Sequence, residues 1–394
     1  MILKNNLPII YAILWAIYNL QGVFGAIGST IGLITLVLAL LIGLFFVFYV
    51  NTHYFVSKYI KAVNILLAML TVYALYYIFI SDVVYYGSIL LDYKAITKTN
   101  TIKYAYMNFF PLYVYYWSAK KKLIDPDWMK KFLYFWFIVS IIMYVRFQTN
   151  ALLLLQDAGI DSEGITNNIG SEFLALIPLL LLVPLSMKKK MLLLVILSVL
   201  AFSSFKRGTM FICIVFILIF VNHILKTSSN NKKIFIFLGV AIVLGGLFFY
   251  LQHMIENNLY MQNRWESTLA GNSSGRDVMY DKLWNNFQHQ PSLITKFFGQ
   301  GTDATVGING NWAHNDWLEL LICQGILGVI IFVIYFWGLW NDRKRCLNID
   351  IKCALTMVLI MFALKSIFSM SYPGLSTTVI LGYSLANLNP QIKH

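Results

Sequence analysis

Of the 394 residues, 59% are hydrophobic and only 12% charged, with a mean hydropathy of +0.69 and a net charge of +13. Soluble domains carry about 25% charged residues, so this composition excludes an ordinary soluble enzyme or binding domain. The positive charge would suit a nucleic-acid ligand, but its distribution along the chain argues against one.

Apolar runs of about 20 residues, each able to cross a ~30 Å hydrocarbon core, read as transmembrane helices. In chain order they are expected near residues 7–27, 29–50, 62–80, 103–118, 131–149, 170–186, 190–205, 207–225, 233–251, 315–339, 353–370 and 373–389. The first reads as a signal anchor, because it is too long for a signal-peptide core, lacks a small-x-small cleavage site and is followed at once by another span. Pro111 falls inside the fourth, and only Ser371-Tyr372-Pro373-Gly374 separates the last two. The expected fold is all-α: a polytopic integral membrane protein of about twelve transmembrane helices, with one large loop between helices 9 and 10. Residues 1–251 hold helices 1–9, residues 252–313 the loop, and residues 314–394 helices 10–12. The 24 Tyr and 10 Trp suit a protein with two water–lipid interfaces to anchor.

Lys and Arg set the orientation. With a cytoplasmic N-terminus, the inner segments hold Lys4, Lys58, Lys61, Lys120, Lys121, Lys122, Lys130, Lys131, Lys188, Lys189, Lys190, Lys226, Lys232, Lys233, Arg343, Lys344, Arg345, Lys352 and Lys393. Most of the 30 basic residues therefore lie inside, as membrane insertion favours. The net charge is mainly this topology signal, and no nucleic-acid partner is expected. Both termini are then cytoplasmic, and the loop 252–313 faces out. So do the turn Phe205-Lys206-Arg207-Gly208 and the helix ends near Arg146 and Lys365. Charge at membrane depth is expensive, so cations brought to one face from separate parts of the chain suggest an anionic ligand.

The chemistry-bearing residues gather in and around the loop. His314, in Trp312-Ala313-His314-Asn315-Asp316-Trp317-Leu318-Glu319, stands where a long apolar helix is expected to begin. A histidine there can titrate near neutral pH and act as a base, or it can simply cap the helix. Asp316 and Glu319 follow on that helix, placed to orient His314 or to pair with an arginine; Asp316 also suits a helix first turn. Arg276 precedes Tyr280, Leu283, Trp284 and Phe287, whose spacing predicts an amphipathic helix on the membrane surface or over a cavity. An arginine there could grip a phosphate with two parallel hydrogen bonds. Arg264 has Glu266 nearby and reads more readily as a salt bridge. Ser203-Ser204-Phe205-Lys206 matches a short Ser-x-x-Lys pattern, but its companion motifs are absent. Cys213, Cys323, Cys346 and Cys353 have no zinc-like spacing and lie outside the outer loops, so neither a metal site nor a disulfide is expected. No cofactor motif is present.

Ser204-Phe205-Lys206-Arg207-Gly208 resembles the Ser-Arg-Gly turn of the O-antigen ligase and polymerase superfamily, with Phe-Lys inserted. Ser274-Gly275-Arg276 resembles the arginine of that superfamily's large periplasmic loop. Gly299-Gln300-Gly301, Ala313 to Glu319, and Gln324-Gly325-Ile326-Leu327-Gly328 resemble the Gly-x-Gly, His-Asn and Gly-Ile-x-Gly signature that closes it. The likeness covers roughly residues 203–328, and the Ala-His-Asn-Asp-x-Leu-Glu run favours the polymerase branch. The resemblance implies a metal-independent, GT-C-like glycosyltransferase in the bacterial inner membrane with its active site facing the periplasm. It would polymerise undecaprenyl-pyrophosphate-linked repeat units with inversion, alongside membrane lipid and a polysaccharide chain-length regulator. His314 would be the catalytic base; Arg276, Arg207, Arg146, Lys206 and Arg264 would hold the pyrophosphate; and Asn315, Asp316 and Glu319 would support them. A ligase that moves finished glycan to lipid A-core is the alternative. A flippase for lipid-linked sugars is a third, disfavoured because few charges lie at mid-bilayer depth.

Overall fold

The computed structural model describes the chain except residues 1, 22, 24–27, 82, 84–85, 90–91, 96–97, 158–166, 168, 205, most of 228–275, 369–370, 372 and 389–394. Helix dominates what is described. In order come α1 (Ile2–Asn19), α2 (Gly28–His53), α3 (Lys58–Phe79), a hairpin of β1 (Tyr86–Ile89) and β2 (Asp92–Ala95), α4 (Lys98–Lys120) and α5 (Pro126–Asp157). Next are α6 (Gly170–Leu176), α7 (Leu179–Leu182), α8 (Met187–Phe202) and α9 (Arg207–Thr227). Beyond residue 275 follow α10 (Arg276–Gln288), α11 (Leu293–Phe298), α12 (Ala304–Asn309), α13 (Asp316–Cys323), α14 (Gly325–Arg345), α15 (Ile349–Phe368) and α16 (Leu375–Ala386). Among the described residues, five segments are long and apolar enough to cross a membrane: α2, α3, Pro126–Thr149 of α5, α9 and α14.

Among the described residues, helices overlie at least part of the expected spans; α1 covers the first, 7–27, only to Asn19, and most of the ninth, 233–251, lies outside the described residues. Three features depart from the expectation, each for a local reason. The antiparallel hairpin, pairing Tyr86 with Ala95 and Ile89 with Asp92, adds strands to an expected all-α fold; hydropathy over a 20-residue window cannot register so short an element. The expected helix 170–186 is broken into α6 and α7 at Pro178, which has no N–H to continue the ladder. Val183, extended at φ −97° and ψ 145° before Pro184, ends α7. The expected helix 315–339 is split at Gln324-Gly325, where Gly325 has φ +68°. Pro111, by contrast, is accommodated within a continuous α4.

The chain divides into two compact units. One comprises Met1–Ala39, Ser118–Ser273 and Asn348–Val358. Its core is aromatic: Trp128, Phe132 and Trp136 stack at centroid separations of 5.4 and 6.0 Å along α5, and Phe173, Phe202, Phe216 and Phe220 are also buried in this unit. The Trp136 indole N–H donates to Glu172 over 3.3 Å, giving that acid a partner.

The other unit comprises Leu40–Trp117, Ser274–Leu347 and Leu359–His394. Here α3 packs antiparallel on α14. Gly338 permits the approach: a Cβ there would stand 3.0 Å from both the Lys58 carbonyl oxygen and the Tyr59 Cα, the small-residue contact by which membrane helices close up. The Tyr59 hydroxyl donates to that of Tyr335 over 2.7 Å. Asp342 of α14 accepts the N–H groups of Lys58 and Tyr59 at 3.3 and 2.8 Å, and Ser57 accepts that of Ile60 at 3.3 Å. Amides at the α3 N-terminus that have no carbonyl within their own helix are thus satisfied by side chains.

Candidate active site

The His314 turn is built from short elements that lock onto one another in the second unit. Met279 and Leu283 of α10, Ala304 of α12, Ala313, and Ile322 and Cys323 of α13 form a buried cluster, with Tyr280, Phe287, Ile308 and Leu318 half-buried against it. The amphipathic helix anticipated from the sequence is α10. Its apolar stripe packs on protein, apart from Trp284, which stays exposed. The Gln300 and Gly301 N–H groups donate to the carbonyls of Ile322 and Cys323, each at 2.9 Å, and so fasten the loop to the end of α13.

His314 itself has φ +50°, the left-handed region. Only glycine enters that region freely, and other residues pay about 1–2 kcal/mol. Asn315 follows as the N-cap of α13, its side-chain oxygen accepting the N–H groups of Trp317 and Leu318 at 3.0 and 3.1 Å. The cap is therefore Asn315, and capping does not account for His314. The Asn315 amide also donates to the Ile367 carbonyl over 3.3 Å, and the Trp317 indole donates to Ser366 over 3.0 Å. These bonds tie the turn to α15.

Glu319 holds the residue before His314. Its Oε2 accepts the Ala313 N–H at 2.8 Å, and its Oε1 accepts the Thr305 hydroxyl at 2.7 Å. Burial raises its pKa, against these two donors. Asp316 accepts the Ser371 N–H at 2.8 Å. Burial pushes its pKa up to about 7, while Ser371 and Lys365 oppose the rise and Glu319 adds to it. Both acids are thus committed to fixing main chain around His314, and among the described residues neither forms an ion pair with an arginine.

Arg276 is the first residue of α10. One turn on stands the half-buried Tyr280; burial raises the pKa of its hydroxyl, and the nearby Arg276 charge and the Asn315 side chain lower it. Tyr280 was read from the sequence as part of an apolar stripe. Its i+4 relation to Arg276 is the signal that pairs them. Thr305 and Ser371 carry no comparable signal, because their partners are distant in sequence.

Lys206, Arg207 and Arg146 belong to the other unit. Arg207 opens α9, and the turn before it is pinned: the Tyr144 hydroxyl bonds the Ser203 carbonyl and hydroxyl oxygens, both at 2.9 Å, and Asn167 donates its N–H to the Ser204 carbonyl at 3.0 Å. Gly170 lies so close that a Cβ would stand 2.2 Å from the Ser204 Cβ. Arg146, two residues beyond Tyr144, is exposed and points to a different face of α5. Arg264 lies outside the described residues. Three of the cysteines are buried, Cys353 is half-buried, and all four are free thiols. Among the described residues no three His, Cys, Asp or Glu side chains gather closely enough to hold a metal ion.

Apolar spanning helices joined to a folded polar segment define a helical, multi-pass membrane protein. Residues 192–333, just over a third of the chain, match the family model described as O-antigen ligase, which supports the likeness to the O-antigen ligase and polymerase superfamily. Neither a curated protein nor a solved structure matches.

Proposed function

We propose that this protein polymerises lipid-linked oligosaccharide repeat units at the periplasmic face of the bacterial inner membrane. An acceptor-sugar hydroxyl attacks the anomeric carbon of the donor. The new C–O bond forms as the bond to the undecaprenyl pyrophosphate breaks, and the configuration inverts. His314 takes the hydroxyl proton, a contribution of about 10²–10⁴-fold for a well-placed base. The bonding electron pair leaves with the pyrophosphate, whose growing charge Arg276 offsets. The resemblance assigns Arg207 the same task.

The observation that carries this reading is a histidine held by its neighbours in a conformation that its own backbone disfavours, on a turn packed against the helix that Arg276 opens. Strain of that kind, seen at φ +50°, gathers at functional sites. The test is reconstitution of the purified protein with lipid-linked repeat units and no other acceptor. Ladders of increasing length are expected. Arg276→Ala should abolish most of them at matched folded protein, while Arg276→Lys should restore only part, since an ammonium keeps the charge but loses the two-pronged geometry. Ladders of full strength from Arg276→Ala would remove that residue from the pyrophosphate site.

The description of the matching family favours a second reading, a ligase that transfers finished glycan to another acceptor. A preparation that makes no ladders, yet caps lipid A-core when it is supplied, would establish that reading in place of polymerisation.

A further inference from the structure

Helix α11 presents an unusual surface for a segment read as part of a water-facing loop. Leu293 and Ile294 are 80% and 72% exposed, and Phe297 and Phe298 are also exposed. Contiguous exposed apolar patches mark contact with protein or membrane.

The depth of α11 follows from its neighbours. Its C-terminal end abuts the start of α14: a Cβ on Gly325 would stand 2.4 Å from the Phe297 carbonyl oxygen and 2.5 Å from the Gly299 nitrogen. The Phe298 carbonyl accepts the Tyr73 hydroxyl of α3. α3 and α14 are in register where Gly338 meets Tyr59. From that contact, α14 climbs about 20 Å back to Gly325, and α3 climbs about the same to Tyr73. Tyr73 and Gly325 therefore lie at one level, and both touch α11. α3 then continues to Phe79, about 9 Å further at 1.5 Å per residue. From Tyr59 to Phe79 it spans about 30 Å, the thickness of the hydrocarbon core.

Next to these contacts the same spanning helices carry exposed apolar residues: Val72, Tyr76, Phe79 and Ile80 toward the end of α3, and Ile326 and Ile330 on α14. Two polar groups of α11 have local partners. Lys296 reaches back to the Gln288 carbonyl at the end of α10 over 2.9 Å, and Ser292 accepts the Thr295 N–H at 3.3 Å. A lysine that bends its ammonium toward a helix C-terminus can lay its stem along lipid.

We infer that α11, residues 293–298, is immersed in the bilayer, with Leu293, Ile294, Phe297 and Phe298 against lipid acyl chains about one to two turns below the end of α3. The occupant of this face is the bilayer itself. This inference holds whether or not the protein is a glycosyltransferase. Because α11 is followed directly by the Gly299–Gly301 strap on α13, it seats the His314 turn at the membrane boundary, where a lipid headgroup need not leave its bilayer to reach it.

The test uses the full-length protein in phosphatidylcholine–phosphatidylglycerol nanodiscs, with a single environment-sensitive fluorophore on an introduced cysteine. Leu293→Cys and Ile294→Cys are the probes; both sites are exposed, so either label leaves the packing intact. Ile330→Cys on the spanning helix α14 and Asp281→Cys on the exposed side of α10 are the lipid and water references. Labels at 293 and 294 should emit to the blue and be quenched by nitroxide-bearing lipids at least half as strongly as at 330, with little quenching by aqueous iodide. Iodide quenching equal to that at 281 would overturn the inference, by putting α11 in water. Insensitivity to both quenchers would also overturn it, by showing that protein, such as a second copy of the chain, covers the face.

Discussion

His314 and Asp316 are the residues whose physical state is most open to direct measurement. A histidine at φ +50° pays for its backbone, so His314→Gly should be more stable than His314→Ala by about 1 kcal/mol. Both should lose turnover if the imidazole is the base, while still binding lipid-linked substrate, because proton removal matters in the transition state rather than in binding. Thermal unfolding in detergent, together with turnover per folded molecule, separates the two effects. His314→Asn tolerates the left-handed backbone better than most residues but cannot take a proton at neutral pH. A near-wild-type rate from it would rule out His314 as the base. Asp316 gives a pH signature. Its ordinary pKa of 3.8 is raised to about 7 by burial, so between those values the folded state holds the proton more tightly than the unfolded chain. Stability should therefore fall as pH rises from about 4 to about 7, with no further loss from this group above that. Asp316→Asn keeps an acceptor for the Ser371 N–H and should flatten that part of the curve. An unchanged slope in melting temperature between pH 5 and 8 would show that Asp316 titrates normally.

At the scale of elements, the site depends on backbone fitted to backbone. Gly299 and Gly325 face each other across the end of α13: a Cβ on Gly299 would lie 2.4 Å from the Cys323 carbonyl, and one on Gly325 equally close to that of Phe297. Neither neighbour is a side-chain tip that can swing aside. Gly325→Ala should thus cost more than the left-handed backbone penalty alone, about 3 kcal/mol or more, or prevent folding. Gly301 has φ +99° with nothing within 4 Å of an added Cβ. Gly301→Ala should cost only the conformational penalty, about 1–2 kcal/mol. Comparing folded yield and melting temperature of the two variants tests whether close approach, rather than glycine's freedom alone, sets this joint. Glu319 performs the complementary task with a side chain, since its two oxygens hold α12 and the Ala313 amide at once. Glu319→Ala would leave that amide and the Thr305 hydroxyl without partners, at about 1–3 kcal/mol each.

At the scale of the whole molecule, the charge distribution yields a topology that can be measured in cells. If α10 and the His314 turn lie outside the cytoplasmic membrane, a cysteine introduced at the exposed Asp281 should react with an impermeant maleimide in intact cells with a permeable outer membrane. A cysteine in the basic segment at Arg345 should react only after lysis. Labelling in the reverse order would invert the orientation and remove the site from the compartment in which lipid-linked glycans are joined.

The sequence by itself determined the solvent and marked the candidate site. Spanning helices are legible because each must satisfy its own backbone and bury a long apolar run. Most of their positions were therefore readable, as was the amphipathic stripe of α10, and the His-Asn-Asp run marked the candidate turn. What only the tertiary structure decided was how that turn is held. The break at Gly325, the left-handed His314, the Glu319 tether to Thr305 and the Asp316 bond to Ser371 arise where segments distant along the chain meet. No local periodicity encodes such contacts. The level of α11 in the membrane belongs with them: its six residues are too few to register as a span, and only their fit against α3 and α14 sets their depth.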